Sequence, residues 1–342
     1  MKDNLAYAGT EDLSEPCFQP AYAPSTNGPE HSEFLLDLKQ GLSGQRKSIS
    51  PKYFYDAIGS GLFDQICQLP EYYPTRTELS ILSQHAHEIA LHLGPRAEIL
   101  EFGAGSMQKV RVLLQAMDRP ARYIPIDISA EHLHGAALRM SRDYPDLQVE
   151  PLEADYTQDL VLPPDMPPEG RRVGFFPGST LGNFEPQDAL RFLRMCANTL
   201  QGGALILGVD LVKSPQLLHA AYNDSLGVTA DFNRNVLARA NRELAADFRL
   251  DQFAHSAFYN APFQRVEMHL MSTCQQSVRV GDASFTFAQG ETLHTENSYK
   301  FTVEGLKQLA QRAGFTSGPS WTDLKQQFCL MWLDAPQLRI HL

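Results

Sequence analysis

Two glycines, Gly103 and Gly105, constrain the fold most, because they separate a strand-like run at 97–102 from a helical run at 107–117. Such a turn directs backbone N–H groups and the positive end of a helix dipole toward a bound ligand. A dinucleotide-binding turn has a small residue three positions after the second glycine, where this chain has Gln108. The pattern therefore predicts a ligand-binding turn that is not a nicotinamide site, with an ordinary glycine turn as the alternative.

Alternating strand and helix patterns around this turn predict an α/β fold with a parallel sheet. The predicted strands lie near 97–102, 122–127, 147–153, 172–177 and 203–210, and the predicted helices near 106–117, 130–142 and 186–200. A helix near 302–313 and strands at 315–322 and 327–333 would complete the sheet. Residues 213–300 are too many for a loop and predict a second folded unit.

These patterns divide the chain into three predicted parts. Residues 1–30 lack periodicity and are rich in Pro, Ser, Asn and Gly, which predicts a disordered arm. Residues 31–76 and 213–300 are expected to form an α+β substrate-binding domain. Residues 77–212 and 301–342 would form the Rossmann-like domain, and ligands bind such sheets at the carboxyl ends of their strands.

Composition argues against nucleic-acid and membrane partners. The net charge of −11 over 342 residues disfavours phosphate backbones and anionic lipids. Five cysteines without C-x-x-C spacing indicate neither disulfides nor zinc, as in a reducing cytosol. The N-terminus lacks an apolar signal core, and no apolar run approaches the ~20 residues of a membrane span. We therefore expect a cytoplasmic protein; its oligomeric state stays open, with a monomer slightly favoured.

The segment Glu101-Phe102-Gly103-Ala104-Gly105 resembles the first motif of S-adenosylmethionine-dependent methyltransferases. In those enzymes an acid at the end of the next strand takes the ribose hydroxyls, and Asp127 holds that position. Lys109 could pair with the cofactor's carboxylate, or could be a solvated helix lysine. Asp155 and Tyr156 could meet the adenine, or Asp155 could simply form a turn.

Candidates for the acceptor site lie in three segments. The small-residue loop 178–184 contains Asn183, which could fix a polar substrate or form a turn. A buried Glu296 next to a hydroxyl would suit an N–H-bearing substrate such as imidazole, whereas an exposed acid is the ordinary alternative. Tyr55, Tyr72 and Tyr222 could be core residues or could surround a methylated ammonium. The histidines show no metal-ligand spacing, so we expect no metal.

From about Ser50 to Leu333 the sequence resembles the bacterial L-histidine Nα-methyltransferases of ergothioneine biosynthesis. The matching segments are Tyr53-Phe54-Tyr55-Asp56, Gly59-Ser60, Leu62-Phe63-Asp64, Leu69-Pro70-Glu71-Tyr72-Tyr73-Pro74-Thr75-Arg76-Thr77-Glu78, 101–109, 178–184, 221–224, 227–233 and Thr295-Glu296-Asn297-Ser298-Tyr299-Lys300-Phe301. Ser106-Met107-Gln108 stands where many relatives have Thr-Ser-Glu, a variation that we expect to be harmless.

The resemblance implies a class I methyltransferase domain, a substrate-binding domain and S-adenosyl-L-methionine as cofactor. Three methyl groups would pass to the α-amino nitrogen of L-histidine and give hercynine, without a catalytic general base. The residues implied to hold the cofactor are Gly103, Gly105, Lys109, Asp127, Asp155 and Tyr156. Asn183 and Tyr222 would position the substrate through its carboxylate, and Glu296 and Ser298 would bind its imidazole. The remaining pocket residues would be Tyr55, Tyr72, Thr229, Phe232 and Met268.

Two other functions remain open at this stage. The same fold could methylate another amino acid or a small amine, although Glu296 together with Ser298 favours an imidazole. The chain could also be a catalytically silent module that binds the cofactor, although both the cofactor and acceptor motifs are intact. An assay of methyl transfer distinguishes these alternatives.

Overall fold

The computed structural model describes residues 29–158, 160–163 and 170–337. Of the predicted disordered arm at 1–30, residues 1–28 lie outside the described residues, and residues 29 and 30 begin the first helix. No helix in the described ranges combines the length and apolarity needed to cross a membrane.

The described helices are α1 (Pro29–Ser43), α2 (Ala57–Ile66), α3 (Tyr73–Leu93), α4 (Gln108–Ala116), α5 (Ala130–Asp143), α6 (Pro186–Thr199), α7 (Pro215–Tyr222), α8 (Val228–Leu244) and α9 (Val303–Ala313). The described strands are β1 (Glu98–Phe102), β2 (Arg122–Asp127), β3 (Gln148–Val149), β4 (Leu152–Glu153), β5 (Arg172–Phe176), β6 (Ala204–Asp210), β7 (Phe253–Asn260), β8 (Arg265–Ser272), β9 (Gln276–Val280), β10 (Ala283–Phe287), β11 (Thr292–Tyr299), β12 (Thr316–Thr322) and β13 (Phe328–Asp334).

The central sheet has the predicted mixed architecture. Its order is β12-β13-β6-β5-β1-β2-β3, with β4 also paired to β2. Pairings among β1 to β6 are parallel, whereas β13 runs antiparallel to both β6 and β12. The two C-terminal strands therefore extend a parallel sheet whose strand ends meet at one edge, and the α/β fold class is confirmed.

The strand predicted at 147–153 is the one element that differs clearly. It consists of the two short strands β3 and β4, which pair with opposite ends of β2. Pro151 lies between them, and a proline has no N–H to donate to a ladder. The prediction of one continuous strand was therefore wrong at this proline.

Both faces of the sheet are covered by helices, as a parallel sheet requires. Buried residues of α3, α4 and α5 pack on one face, and buried residues of α6 and α9 pack on the other. The strands β1 and β6 are buried along their whole length, which matches their continuous apolar sequence. This packing fixes the turns that follow β1, β2 and β5 on one side of the molecule.

A second hydrophobic core joins the N-terminal segment to the long insertion. Its buried members come from residues 34–73 and 218–293, and include Phe34, Phe54, Phe232 and Met268. The strands β11, β8 and β7 form an antiparallel sheet beside it, and β9 pairs with β10. The Asp56 side chain caps α2 by accepting from Gly59 N, and it also accepts from Asn235 of α8. The two segments thus share a core distinct from those flanking the central sheet.

We predict that Gly208→Ala destabilises the protein. A Cβ at this position of β6 would lie 2.2 Å from Glu78 Oε1 and 3.2 Å from the Phe328 ring. Relieving the contact displaces a fully buried carboxylate, which should lower the free energy of unfolding by roughly 1–3 kcal/mol. Urea unfolding monitored by circular dichroism measures the loss.

Gly61→Ala in α2 is the matched control, because a Cβ there meets no atom within 4 Å. That change should be neutral or should stabilise by about 0.5–1 kcal/mol, since alanine is the better helix former. An unfolding midpoint for Gly208→Ala equal to that of Gly61→Ala would contradict the close contact with Glu78.

Candidate functional site

The glycine turn after β1 is held open beside the end of β2. Gly103 and Gly105 have φ angles of +69° and +49°, in the left-handed region that glycine tolerates best. Gly103 N donates to the carbonyl of Ile126, and Gly105 N donates to Asp127 Oδ2 at 3.1 Å. A Cβ on Gly105 would meet nothing within 4 Å, so space lies over the turn. The turn and Asp127 therefore form one concave edge.

Tyr156 and Asp155 follow β4 and border the same edge. The Tyr156 ring faces Gly103, where an added Cβ would lie 3.5 Å from the ring, and it packs edge-on against Phe102 and Phe176. Asp155 accepts hydrogen bonds from the N–H and hydroxyl of Thr157, at 2.8 and 2.6 Å. The structure thus brings Tyr156 to the glycine turn and places Asp155 in the turn conformation that was its alternative interpretation.

Lys109 lies between the glycine turn and the loop that follows β5. Its ammonium is 2.6 Å from the carboxylate of Glu78, whose side chain is fully buried in α3. The same carboxylate accepts from Gly178 N at 2.9 and 3.1 Å. Glu78 was not predicted as a site residue, because an acid in an amphipathic helix is ordinarily solvent-exposed. It joins the glycine turn to the predicted acceptor loop.

A cavity opens beside that loop, between the central sheet and the second core. Its volume is about 580 Å³, which includes space that is open to solvent. The nine residues predicted to bind substrate all line it, namely Tyr55, Tyr72, Asn183, Tyr222, Thr229, Phe232, Met268, Glu296 and Ser298. The lining also includes Phe63, Asp210 and Lys300, which were not predicted as site residues. Segments distant in sequence therefore meet as expected.

Aromatic rings form one wall of this cavity. Tyr72 contacts Tyr222 edge-on, with ring centroids 6.4 Å apart, and Phe63 contacts Tyr72 in the same way at 6.2 Å. Tyr55 packs edge-on against Phe232 at 5.8 Å. Burial raises the pKa of Tyr55 and Tyr72 well above the ordinary value, so both hydroxyls stay neutral. This wall can attract a cationic alkylammonium through its ring faces without carrying charge.

Asn183 reaches the cavity from a 3₁₀ turn, Thr180–Asn183, that follows β5. The turn packs closely on β11, because a Cβ on Gly182 would lie 2.7 Å from the carbonyl oxygen of Tyr299. Ser179 precedes the turn with a φ of +62°, and its hydroxyl accepts from Asp210 N at 2.9 Å. The Asn183 amide is therefore carried on a tightly held segment.

Glu296 is a buried acid on β11, at 8% exposure. Burial raises its pKa to about 8, and the nearby ammonium of Lys300 partly opposes that rise. The alternative of an exposed strand-end acid was therefore wrong. A buried carboxylate that lines a cavity favours a ligand with an N–H group to donate.

A buried polar network adjoins the aromatic wall at Tyr222. Tyr222 Oη donates to Ser298 Oγ at 2.7 Å, and Lys300 Nζ lies 3.0 Å from Tyr222 Oη and 2.8 Å from Ser298 Oγ. Lys300 also pairs with Asp210 at 3.0 Å, and Tyr73 Oη donates to the same carboxylate at 2.7 Å. Alternate residues of a strand share one face, so Lys300 lies on the same side as Glu296 and Ser298. This spacing in the sequence could have identified Lys300 as a site residue.

Glu267, His269 and His294 lie behind Glu296, with potential ligand atoms within 4.8 Å of one another. The two imidazole rings are stacked, with centroids 4.7 Å apart, and their Nε2 atoms already contact the Glu296 carbonyl oxygen at 3.1 Å and the Glu267 carboxylate at 3.2 Å. Glu267 already pairs with Arg265 at 2.7 Å. We therefore assign no metal to this group.

Comparison with known proteins identifies a family and several relatives. The model of the SAM-dependent, histidine-specific methyltransferases matches residues 34–335. A histidine N-alpha-methyltransferase from Mycolicibacterium smegmatis is 44% identical over 300 residues, covering 86% of this chain and 92% of that protein. Its namesake from Mycobacterium tuberculosis is 41% identical over 307 residues, covering 88% and 94%. Ergothioneine biosynthesis protein 1 of Neurospora crassa is 28% identical over 288 residues, covering 78% of this chain and 31% of that protein.

We predict that Glu296→Gln changes how stability depends on pH. The folded pKa of about 8 lies above the ordinary 4.5, so the folded chain retains a proton that the unfolded chain releases. The stability from this protonated acid is complete below about pH 4.5 and is lost as pH rises through about 8. Glutamine is neutral at every pH. The free energy of unfolding of the variant, relative to that of the parent, should therefore rise by roughly 2–4 kcal/mol from about pH 5 to about pH 9.

Chemical unfolding of parent and variant at both pH values measures this difference. Glu101, whose pKa burial also raises to about 8, is unchanged in both proteins and affects both curves equally. Parallel stability curves would show that Glu296 ionises in the folded chain as it does in water.

Proposed function

This chain belongs to the family of SAM-dependent, histidine-specific methyltransferases, and we propose from that premise that it converts L-histidine to hercynine. Three successive methyl transfers to the α-amino nitrogen would yield this betaine, a step of ergothioneine biosynthesis. The observation that carries the proposal is the meeting of Asn183, Glu296 and Ser298 in one cavity with an aromatic wall. The two mycobacterial relatives bear the name of this activity.

The cofactor is S-adenosyl-L-methionine, and the residues at the glycine turn fit it. Open space over Gly105, the carboxylate of Asp127 and the ring of Tyr156 offer room, a hydroxyl acceptor and an apolar surface on one edge. We assign to cofactor binding Gly103, Gly105, Lys109, Asp127, Asp155 and Tyr156. Lys109 keeps N–H groups to donate while it pairs with Glu78, since an ammonium has three donors. When bound, the cofactor supplies a methyl group on a sulfonium sulfur.

We assign the two polar ends of the substrate to two different pairs of side chains in the cavity. Asn183 and Tyr222 would hold the carboxylate, and Glu296 and Ser298 would hold the imidazole. Tyr55, Tyr72, Thr229, Phe232 and Met268 would complete the wall. With both ends fixed, the α-amino nitrogen is held in one place, and such positioning supplies much of the rate of a transfer that needs no general base.

The same assignment explains why the reaction stops after three transfers. Each transfer would form an N–C bond from a nitrogen lone pair while the bond between that methyl group and the sulfonium sulfur breaks, which leaves a neutral thioether. The first two products would also lose a proton from nitrogen before the next transfer. The trimethylated nitrogen has no lone pair left. The neutral aromatic wall accommodates the growing alkylammonium, because ring faces attract a cation that is readily desolvated.

The division of the chain into domains belongs to this proposal. We propose that residues 31–76 and 213–300 are the substrate-binding domain, supported by the core that these segments share, and that residues 77–212 and 301–342 bind the cofactor. A cytoplasmic location and the lack of nucleic-acid and membrane partners remain predictions from the sequence.

We predict trimethylation of free L-histidine. Mass spectrometry of histidine incubated with the protein and excess S-adenosylmethionine should show mass gains of one, two and three methyl groups, with the third as end point. Glu296→Ala should lose most of this activity while retaining cofactor affinity, because Glu296 lines the substrate cavity. Product limited to monomethylhistidine, or methyl on a ring nitrogen, would refute the proposal.

We predict that Asp127→Ala weakens cofactor binding by roughly 1–3 kcal/mol, the cost of hydrogen bonds lost to a charged acceptor. Isothermal titration calorimetry with S-adenosylhomocysteine measures this change. Asp118→Ala, an exposed acid paired with Arg119 ahead of β2, is the control that should bind normally. Equal affinities for folded Asp127→Ala and the parent would remove Asp127 from the site.

A further inference from the structure

Lys300 is a buried cation in the lining of the substrate cavity. It directly follows β11, and the two-residue period of the strand places it on the side of Glu296 and Ser298. Its side chain is 1% exposed, and it lines the cavity. A charge at such depth is retained only where acceptors surround it.

The three donors of the Lys300 ammonium match three acceptors. They are Asp210 Oδ2 at 3.0 Å, Tyr222 Oη at 3.0 Å and Ser298 Oγ at 2.8 Å. Burial alone would lower the pKa of Lys300, but Tyr222 and Asp210 more than offset burial and hold that pKa above its ordinary value. The ammonium is therefore permanently charged and can only donate.

This arrangement decides which way the Ser298 hydroxyl can point. Ser298 Oγ accepts from Lys300 and from Tyr222 Oη, so both of its lone pairs are in use. Its own hydrogen cannot point at either of these donors, and the cavity is the direction that remains. When Tyr222 Oη turns its proton from Ser298 to an arriving carboxylate, Lys300 still donates to Ser298 Oγ at 2.8 Å, so Ser298 remains in contact with a positive charge.

We propose that Lys300 is a positioning residue that favours both hydroxyls as donors toward the substrate. The imidazole then binds neutral, with an unprotonated nitrogen facing Ser298 and its N–H facing Glu296. This inference rests on the proposed function and adds the protonation state in which the imidazole ring binds. A protonated ring would bring a second positive charge to the hydroxyl that already accepts from the Lys300 ammonium.

The charge of Lys300 disfavours a protonated ring directly, because two cations would then share one cavity. Its ammonium opposes the rise that burial causes in the pKa of Glu296, which favours the ionised carboxylate. A ring N–H donated to that carboxylate favours ionisation further. The other charged or titratable groups around this pair include Asp210, Lys213 and the tyrosines Tyr55, Tyr72, Tyr73 and Tyr222. Burial raises the pKa of all four tyrosines and keeps them neutral.

Without Lys300 the opposite arrangement is expected. A buried carboxylate beside an imidazole ordinarily stabilises the protonated ring. Ser298 could then donate to Tyr222 and accept from the second ring N–H. The protonation state of bound histidine therefore reports whether Lys300 sets the polarity of Ser298.

The test is nuclear magnetic resonance of ring-¹⁵N-labelled L-histidine bound to the full chain with S-adenosylhomocysteine. At about pH 7.5, roughly one unit above the ordinary imidazole pKa of about 6.5, we expect two widely separated ring signals, the signature of one protonated and one bare nitrogen. Two signals close together, from a protonated ring, would overturn the inference.

Lys300→Met should move the bound ring toward the protonated form and weaken histidine binding by about tenfold or more. Lys213→Met is the matched control. Lys213 pairs with the other oxygen of the Asp210 carboxylate at 2.5 Å. Its replacement by methionine therefore removes a cation from the same aspartate and leaves the donors to Ser298 in place. A neutral ring should persist in that variant, and a neutral ring in Lys300→Met would also overturn the inference.

The outcomes separate this inference from the proposed function. If histidine neither binds nor becomes methylated, the proposed function fails. If the parent methylates histidine but binds it with a protonated ring, only the role of Lys300 fails. Hydrogen–deuterium exchange of each variant establishes that it is folded before its spectra are interpreted.

Discussion

The buried carboxylate of Glu78 is the interaction on which the arrangement of the site depends. It lies in α3, pairs with Lys109 of α4 and accepts from the backbone of Gly178 after β5. A charge removed from water must have its partners in place, and loss of one partner from such a pair ordinarily costs about 3–5 kcal/mol. The start of α4 and the acceptor loop are thus both bound to the Glu78 carboxylate, which fixes the distance between the glycine turn and that loop.

Asp210 has the same role on the substrate side. It ends β6, and its carboxylate binds the nearby Lys213 as well as Tyr73 and Lys300 from distant parts of the chain. The network couples the central sheet to β11 and through it to Glu296 and Ser298. Glu78 on the cofactor side and Asp210 on the substrate side are both buried acids. Together they hold in place a cavity whose walls come from separate hydrophobic cores.

Much of the fold was predictable because it follows local patterns. The strands around Gly103 and Asp127 are short apolar runs between helical periods, and only Pro151 broke a predicted strand. The cavity lining was predictable from motifs of the family, since the residues of a binding site recur together. Glu78 and Asp210 were not predictable in the same way. An acid becomes a buried partner only when distant elements bring donors to it, and no local pattern in the sequence records that meeting.

The core shared by the N-terminal segment and the insertion has a consequence for how the protein is made. Phe34 and Phe54 leave the ribosome early, whereas Phe232 and Met268, which they join, follow only after the central sheet up to β6 has been synthesised. Contacts between such distant segments form slowly, because a long loop must close first. During translation the early segment exposes an apolar surface with no native partner, which makes the nascent chain a client for molecular chaperones.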